Sequence, residues 1–126
     1  DAVVALADST FHVLWNDRSG RLFEDRQSVV SLSGGAQASA LALLDLDQDG
    51  SLDVVAASGS SRQLLVLRNT RVRRGVKGLE LLPDTYPAGP EPVAIATADF
   101  DRDGLPDVAV ADRSLAAVSV LFNQSK

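Results

Sequence analysis

Two stretches decide the reading of this chain: Asp45-Leu46-Asp47-Gln48-Asp49-Gly50-Ser51-Leu52-Asp53 and Asp99-Phe100-Asp101-Arg102-Asp103-Gly104-Leu105-Pro106-Asp107. Both read D-x-D-x-D-G-x-x-D. Four carboxylates within nine residues repel one another once folded, and a hard cation removes that cost. Ca²⁺ takes six to eight oxygen ligands in flexible geometry, so it is the expected ion. The alternation aims carboxylates 1, 3 and 5 into one loop. Glycine at position 6 permits the sharp turn that returns position 7's carbonyl and position 9's carboxylate to the ion. An acidic solvated turn would explain the glycine, but not the same register twice.

The loops set a repeat. They lie 54 residues apart, and each runs into an apolar segment, Asp53-Val54-Val55-Ala56-Ala57 and Asp107-Val108-Ala109-Val110-Ala111. Asp1-Ala2-Val3-Val4-Ala5 matches both, so Asp1 aligns with the ninth position of a loop. A second marker keeps the same phase: Val13-Leu14-Trp15-Asn16, Val66-Leu67-Arg68-Asn69 and Val120-Leu121-Phe122-Asn123. The unit is therefore about 53 residues long, and the chain enters it part-way.

Four strands are expected per unit. The first is alanine-rich and precedes the loop, at 40–44 and 93–98. The second is a short continuous apolar run at 2–7, 54–58 and 108–111, as a strand buried on both faces requires. The third ends at the asparagine, at 11–15, 64–68 and 117–122. A weak fourth falls at 28–32 and 79–82. Short polar turns join second to third as in a hairpin, and Gly34-Gly35 and 87–92 punctuate the joints between units. Four antiparallel strands in about 53 residues make one propeller blade. The fold expected is all-β: a partial blade at 1–36, a full blade at 37–86 and a partial blade at 87–126. A blade cannot cover both of its faces alone, so the chain is expected to be part of a longer propeller or to complete a ring by self-association.

Composition excludes several classes. The chain has 126 residues, a net charge of −5 and a pI near 4.6. Acidity concentrated in the loops argues for metal and against nucleic acid. No apolar run approaches the ~20 residues of a membrane helix, so no membrane insertion is expected. There is no cysteine to form a disulfide or a thiolate site, and no methionine, as expected of a processed or excised product.

The expected ligands are Asp45, Asp47, Asp49 and Asp53 with the carbonyl of Ser51, and Asp99, Asp101, Asp103 and Asp107 with the carbonyl of Leu105. Pro106 fits the second loop because it keeps a carbonyl and fixes φ. An EF-hand needs a carboxylate at position 12, where this chain has Ala56 and Val110. Such ions clip a hairpin and are not catalysts, because protein oxygens saturate them.

The alanine-rich strand, the acidic loop, the Val/Ala strand and the asparagine-ended strand, followed by Gly20 and Phe23 in the first unit and preceded by Gly89-Pro90 in the last, resemble the FG-GAP (VCBS-type) repeats of integrin α-subunit heads and related bacterial secreted proteins. The middle unit departs from the pattern: it has Gly75 and Gly78 but no Phe, and carries Arg71-Val72-Arg73-Arg74. The resemblance implies propeller blades, bound Ca²⁺ and an extracellular or outward-facing location. It also implies a non-catalytic adhesion or protein-interaction role, with a protein or glycan partner bound by the variable loops 17–27, 33–39, 71–78 and 83–92. A lectin-like propeller and a non-catalytic part of a secreted enzyme are the alternatives.

Other residues are read as structural. His12 alternates with Phe11 and Val13 on a strand and has no nucleophile beside it in any hydrolase motif. Trp15 is expected between blades, with a sugar platform as the alternative. The basic run 71–77 is a solvated loop, or a contact for an anionic partner or a dibasic processing site. Asn123-Gln124-Ser125 is a glycosylation sequon only in a eukaryotic secretory setting.

Overall fold

The structure is a computed structural model that describes residues 2–5, 8–16, 18–23, 29–32, 35–71 and 77–124. Among the described residues eleven strands follow in chain order: β1 (Ala2–Ala5), β2 (Thr10–Asn16), β3 (Leu22–Phe23), β4 (Val29–Ser31), β5 (Ala38–Leu44), β6 (Asp53–Ser58), β7 (Gln63–Arg71), β8 (Lys77–Pro87), β9 (Pro92–Ala98), β10 (Asp107–Asp112) and β11 (Ala117–Leu121). They form three antiparallel sheets. The middle one is β5-β6-β7-β8, and the last is β9-β10-β11. In the first, β2 pairs with β1 on one side, and with both β3 and β4 on the other. The sheets are thus repeat strands 2-3-4, 1-2-3-4 and 1-2-3, the phase read from the loops.

The middle sheet is buried from both sides. All six residues of β6 are buried, as its continuous apolar run demands. Successive side chains point to opposite faces of a strand, which splits the core in two. Phe11, Leu32 and Ala36 pack on Val54, Ala56, Leu65 and Leu67. Val55, Ala57, Leu64 and Val66 pack on Val108 and Val110, with Ile95 and Leu121 beside them. The alanine-rich strands β5 and β9 are in contact. Their small side chains allow a close approach, and the Ser39 hydroxyl reaches the Pro92 carbonyl at 2.6 Å and the Ala57 carbonyl at 3.1 Å.

The fourth strand differs from expectation. β8 runs from Lys77 to Pro87, far beyond 79–82, and takes 83–87 out of the loop expected at 83–92. Its pairing with β7 slips between Leu65↔Thr85 and Leu67↔Leu81, so Pro83 falls inside a bulge. A proline has no N–H to give a ladder, and a bulge is where a strand tolerates one. In the first sheet the same strand is split into β3 and β4. His12 lies between buried Phe11 and Val13, its ring 3.1 Å from the Thr10 hydroxyl. Asp1, the side chain of Trp15, residues 72–76 of the basic run and Ser125 lie outside the described residues.

Among the described residues, no sheet covers the outer face of the last one. Val118 and Val120 pair with Ala111 and Ala109, on the side away from the middle sheet. Val118 is 66% exposed. The 54-residue repeat makes Ala109 and Ala111 the counterparts of Val55 and Ala57, which a neighbouring sheet covers.

Candidate metal centre

Each acidic loop joins the first two strands of a sheet: 45–52 links β5 to β6, and 99–106 links β9 to β10. The two backbones match. Position 4 is left-handed in both, Gln48 at φ 58° and Arg102 at φ 65°, and so is position 6, Gly50 at 84° and Gly104 at 90°. Position 4 stays within the narrow left-handed well open to side chains, whereas the larger φ of position 6 favours glycine. Short aspartate side chains bonding nearby N–H groups hold the turns. Gly50 N donates to Asp45 Oδ2 and Gly104 N to Asp99 Oδ2, both at 2.9 Å. Ser51 N donates to Asp49 Oδ1 at 2.7 Å and Leu105 N to Asp103 Oδ1 at 2.9 Å.

These turns gather three carboxylates in each loop, leaving Asp53 and Asp103 outside the clusters. Oxygens of Asp45, Asp47 and Asp49 lie within 4.8 Å of one another, and so do those of Asp99, Asp101 and Asp107. In the first cluster Asp45 Oδ1 is buried and has no hydrogen-bond donor. A buried carboxylate oxygen without a donor is costly, and a cation relieves it. The donor set, all hard oxygens, suits Ca²⁺ over a transition metal. Arg68 Nε lies 3.4 Å from Asp47 Oδ2, at the edge of the cluster.

Position 9 fastens backbone. Asp53 is 1% exposed, and both its oxygens accept backbone N–H groups, from Leu46 at 2.9 Å and Asn69 at 2.7 Å. Asp107 does the same with Phe100 and Asn123, both at 2.8 Å. One carboxylate thus fastens the start of the loop to the end of the third strand. The two carboxyls shift oppositely. Burial raises Asp53 above its ordinary value, and Asp47 and Asp49 add to it against the hydrogen bonds. For Asp107 the Asn123 N–H leads and lowers it against burial. Asp101 is raised, by desolvation first and then by repulsion from its neighbours.

Side-chain bonds account for two asparagines of the repeat marker, Asn69 and Asn123, a role the sequence does not disclose. Asn69 Nδ2 also donates to the Leu52 carbonyl at 3.2 Å, and Asn123 Nδ2 to the Leu46 carbonyl at 2.8 Å. Their recurrence at the end of each third strand was the available signal. Beside the first loop, a cavity of about 410 Å³ opens between the second and third sheets, lined among others by Val66, Arg68, Tyr86, Phe122, Asn123 and Gln124.

A family model described as FG-GAP-like repeat matches residues 1–56 and again 45–110. The second match runs from one acidic loop through the next, which is the period found above. Comparison with curated proteins and with solved structures gives no significant match.

Proposed function

We propose that this chain, which belongs to the FG-GAP-like repeat family, is a calcium-stabilised, non-catalytic stretch of β-propeller that binds a partner outside the cell. Repeats of this family suggest an interaction module and are generally non-catalytic. The observation that carries calcium is the donorless, buried Asp45 Oδ1 in a carboxylate cluster. Asp45, Asp47, Asp49, Asp53 and the Ser51 carbonyl would hold one ion. Asp99, Asp101, Asp103, Asp107 and the Leu105 carbonyl would hold a second. A carboxylate has about four lone-pair sites, so Asp53 and Asp107 can fasten backbone and still face an ion. Each ion clips the hairpin between the first two strands of its blade.

Extracellular sites of this ligand type bind with Kd of about 10⁻⁴–10⁻³ M. At about 3 mM calcium each adds about 1–2 kcal/mol of stability. Two sites are worth roughly 8–15 °C in melting temperature for a chain of this length. Thermal unfolding in millimolar calcium and in excess chelator tests this. An unchanged midpoint overturns the reading.

The partner is a protein or a glycan held by the loops between strands. The glycan reading is favoured by the cavity at the second and third sheets, where half-exposed Tyr86 and Phe122 stand beside Arg68, Asn123 and Gln124. Aromatic faces with amide and guanidinium donors suit a sugar. Silence of the chain on a glycan array would remove it and leave the protein partner.

A further inference from the structure

Two hydrogen-bonded bridges join the acidic loops of neighbouring sheets. In the first, the Asn123 N–H donates to Asp107 Oδ1 at 2.8 Å, and its side-chain Nδ2 donates to the Leu46 carbonyl at 2.8 Å. The Leu46 N–H donates in turn to Asp53 Oδ2 at 2.9 Å. One continuous path therefore connects the position-9 carboxylates of both loops. In the second, the Gln48 side-chain amide donates to the Gly104 carbonyl. Gly104 N is itself held by Asp99 Oδ2 at 2.9 Å. The bridges leave the first loop from positions 2 and 4. They end on groups that the second loop's own carboxylates hold in place. The equivalent Asn69 bonds Leu52 of its own blade instead.

We propose that the two calcium loops are thermodynamically coupled, each ion raising the affinity of the other loop, with Asn123 and Gln48 as the residues that carry the coupling. The inference rests on the calcium reading above. Both bridges need both loops in their closed turns. An ion that orders 99–107 fixes Asn123 and the Gly104 carbonyl, and those hold Leu46 and Gln48 where the first loop needs them. Ordering one loop thus reduces the cost of ordering the other. By linkage the effect is reciprocal. A net neutral hydrogen bond is worth about fivefold in an equilibrium constant, so the two bridges together give roughly 25-fold.

Calorimetric calcium titration of the full chain tests this. The unaltered chain should take up two ions with positive cooperativity. Asp101→Asn disables the second loop through an exposed side chain, and the remaining first-loop site should weaken by about 5–25-fold. Asp47→Asn should weaken the second loop by the same factor. Asn123→Ala and Gln48→Asn keep every carboxylate, and asparagine tolerates the left-handed φ at position 48. Each should still bind two ions, with the coupling reduced about fivefold. Two ions bound independently, with first-loop affinity untouched by Asp101→Asn, would overturn the coupling and leave the calcium reading standing. Bridge variants that titrate like the unaltered chain would overturn the assignment to Asn123 and Gln48. No calcium uptake at all would overturn both readings.

Discussion

Asp53→Asn separates the fastening role of the position-9 carboxylate from its proposed contact with calcium. The side chain keeps its size, so no cavity forms. One of the two buried N–H groups, of Leu46 or Asn69, then faces an amide N–H₂ in place of an oxygen. Hydrogen bonds to charged groups contribute about 1.5–3 kcal/mol, and a buried donor left unpaired costs about 1–3 kcal/mol. Against this, burial and the neighbouring Asp47 and Asp49 already disfavour the charge, so neutralising it recovers part of the loss. The expected net cost is about 2–3 kcal/mol, a large share of the ~5–15 kcal/mol that holds a domain folded. It corresponds to a melting temperature lower by roughly 8–12 °C. Because the fastening is made by protein alone, the loss should appear in chelator as well as in calcium. Asp49→Asn is the control. It is exposed, and the asparagine oxygen can still accept from Ser51 N. It should cost nothing in chelator and lose the ion's contribution in calcium. The assay is urea unfolding followed by circular dichroism under both conditions. A loss for Asp53→Asn seen only in calcium, or one below about 0.5 kcal/mol in chelator, would refute the fastening role.

Three further outcomes follow from the geometry. Gly89 has φ +84°, and a Cβ there would sit 2.3 Å from Asp112 Oδ2. Asp112 is pinned by the N–H groups of Glu91 and Leu115 and by the Ser114 hydroxyl. Gly89→Ala should therefore cost more in chelator than Gly104→Ala, which has open space and meets only the ~1–2 kcal/mol of left-handed strain; equal losses in urea unfolding would contradict this. Burial pushes the Asp112 carboxyl up, but the hydrogen bonds from Glu91, Leu115 and Ser114 outweigh it and hold it below its ordinary 3.8. Its contribution is present above that value and lost as pH falls through the lower folded one, so the stability difference between the native chain and Asp112→Asn should shrink below about pH 4, and a pH-independent difference would contradict it. The bare face carrying Val118 and Val120 should drive self-association that Val118→Glu weakens, read by light scattering; a monomeric native chain would contradict it.

What the sequence disclosed was whatever repeats or alternates locally. The acidic loops and the asparagine marker set the phase of all three sheets. The unbroken apolar run of β6 announced a strand covered on both sides. The fourth strand was hidden because Gly78 and Pro83 look like breaks in a linear reading, whereas the β7–β8 ladder absorbs Pro83 in a bulge. Within the site, the alternation of aspartates pointed to the loops, in which Asp45, Asp47 and Asp49, and Asp99, Asp101 and Asp107, converge. It did not show that Asp53 and Asp107 also fasten the third strand, since their partners Asn69 and Asn123 lie 16 residues on. Nor did it show the bridges of Gln48 and Asn123, whose acceptors are 56 and 77 residues away. Contacts at such separations come from stacking one blade on the next, which no local pattern encodes.

Each D-x-D-x-D-G-x-x-D loop should hold one calcium ion. Equilibrium dialysis against calcium raised stepwise to saturation counts those ions directly. At saturation two per chain are expected, falling to one when either Asp47 or Asp101 is replaced by asparagine. No bound calcium, or a count unaffected by both substitutions, would contradict it.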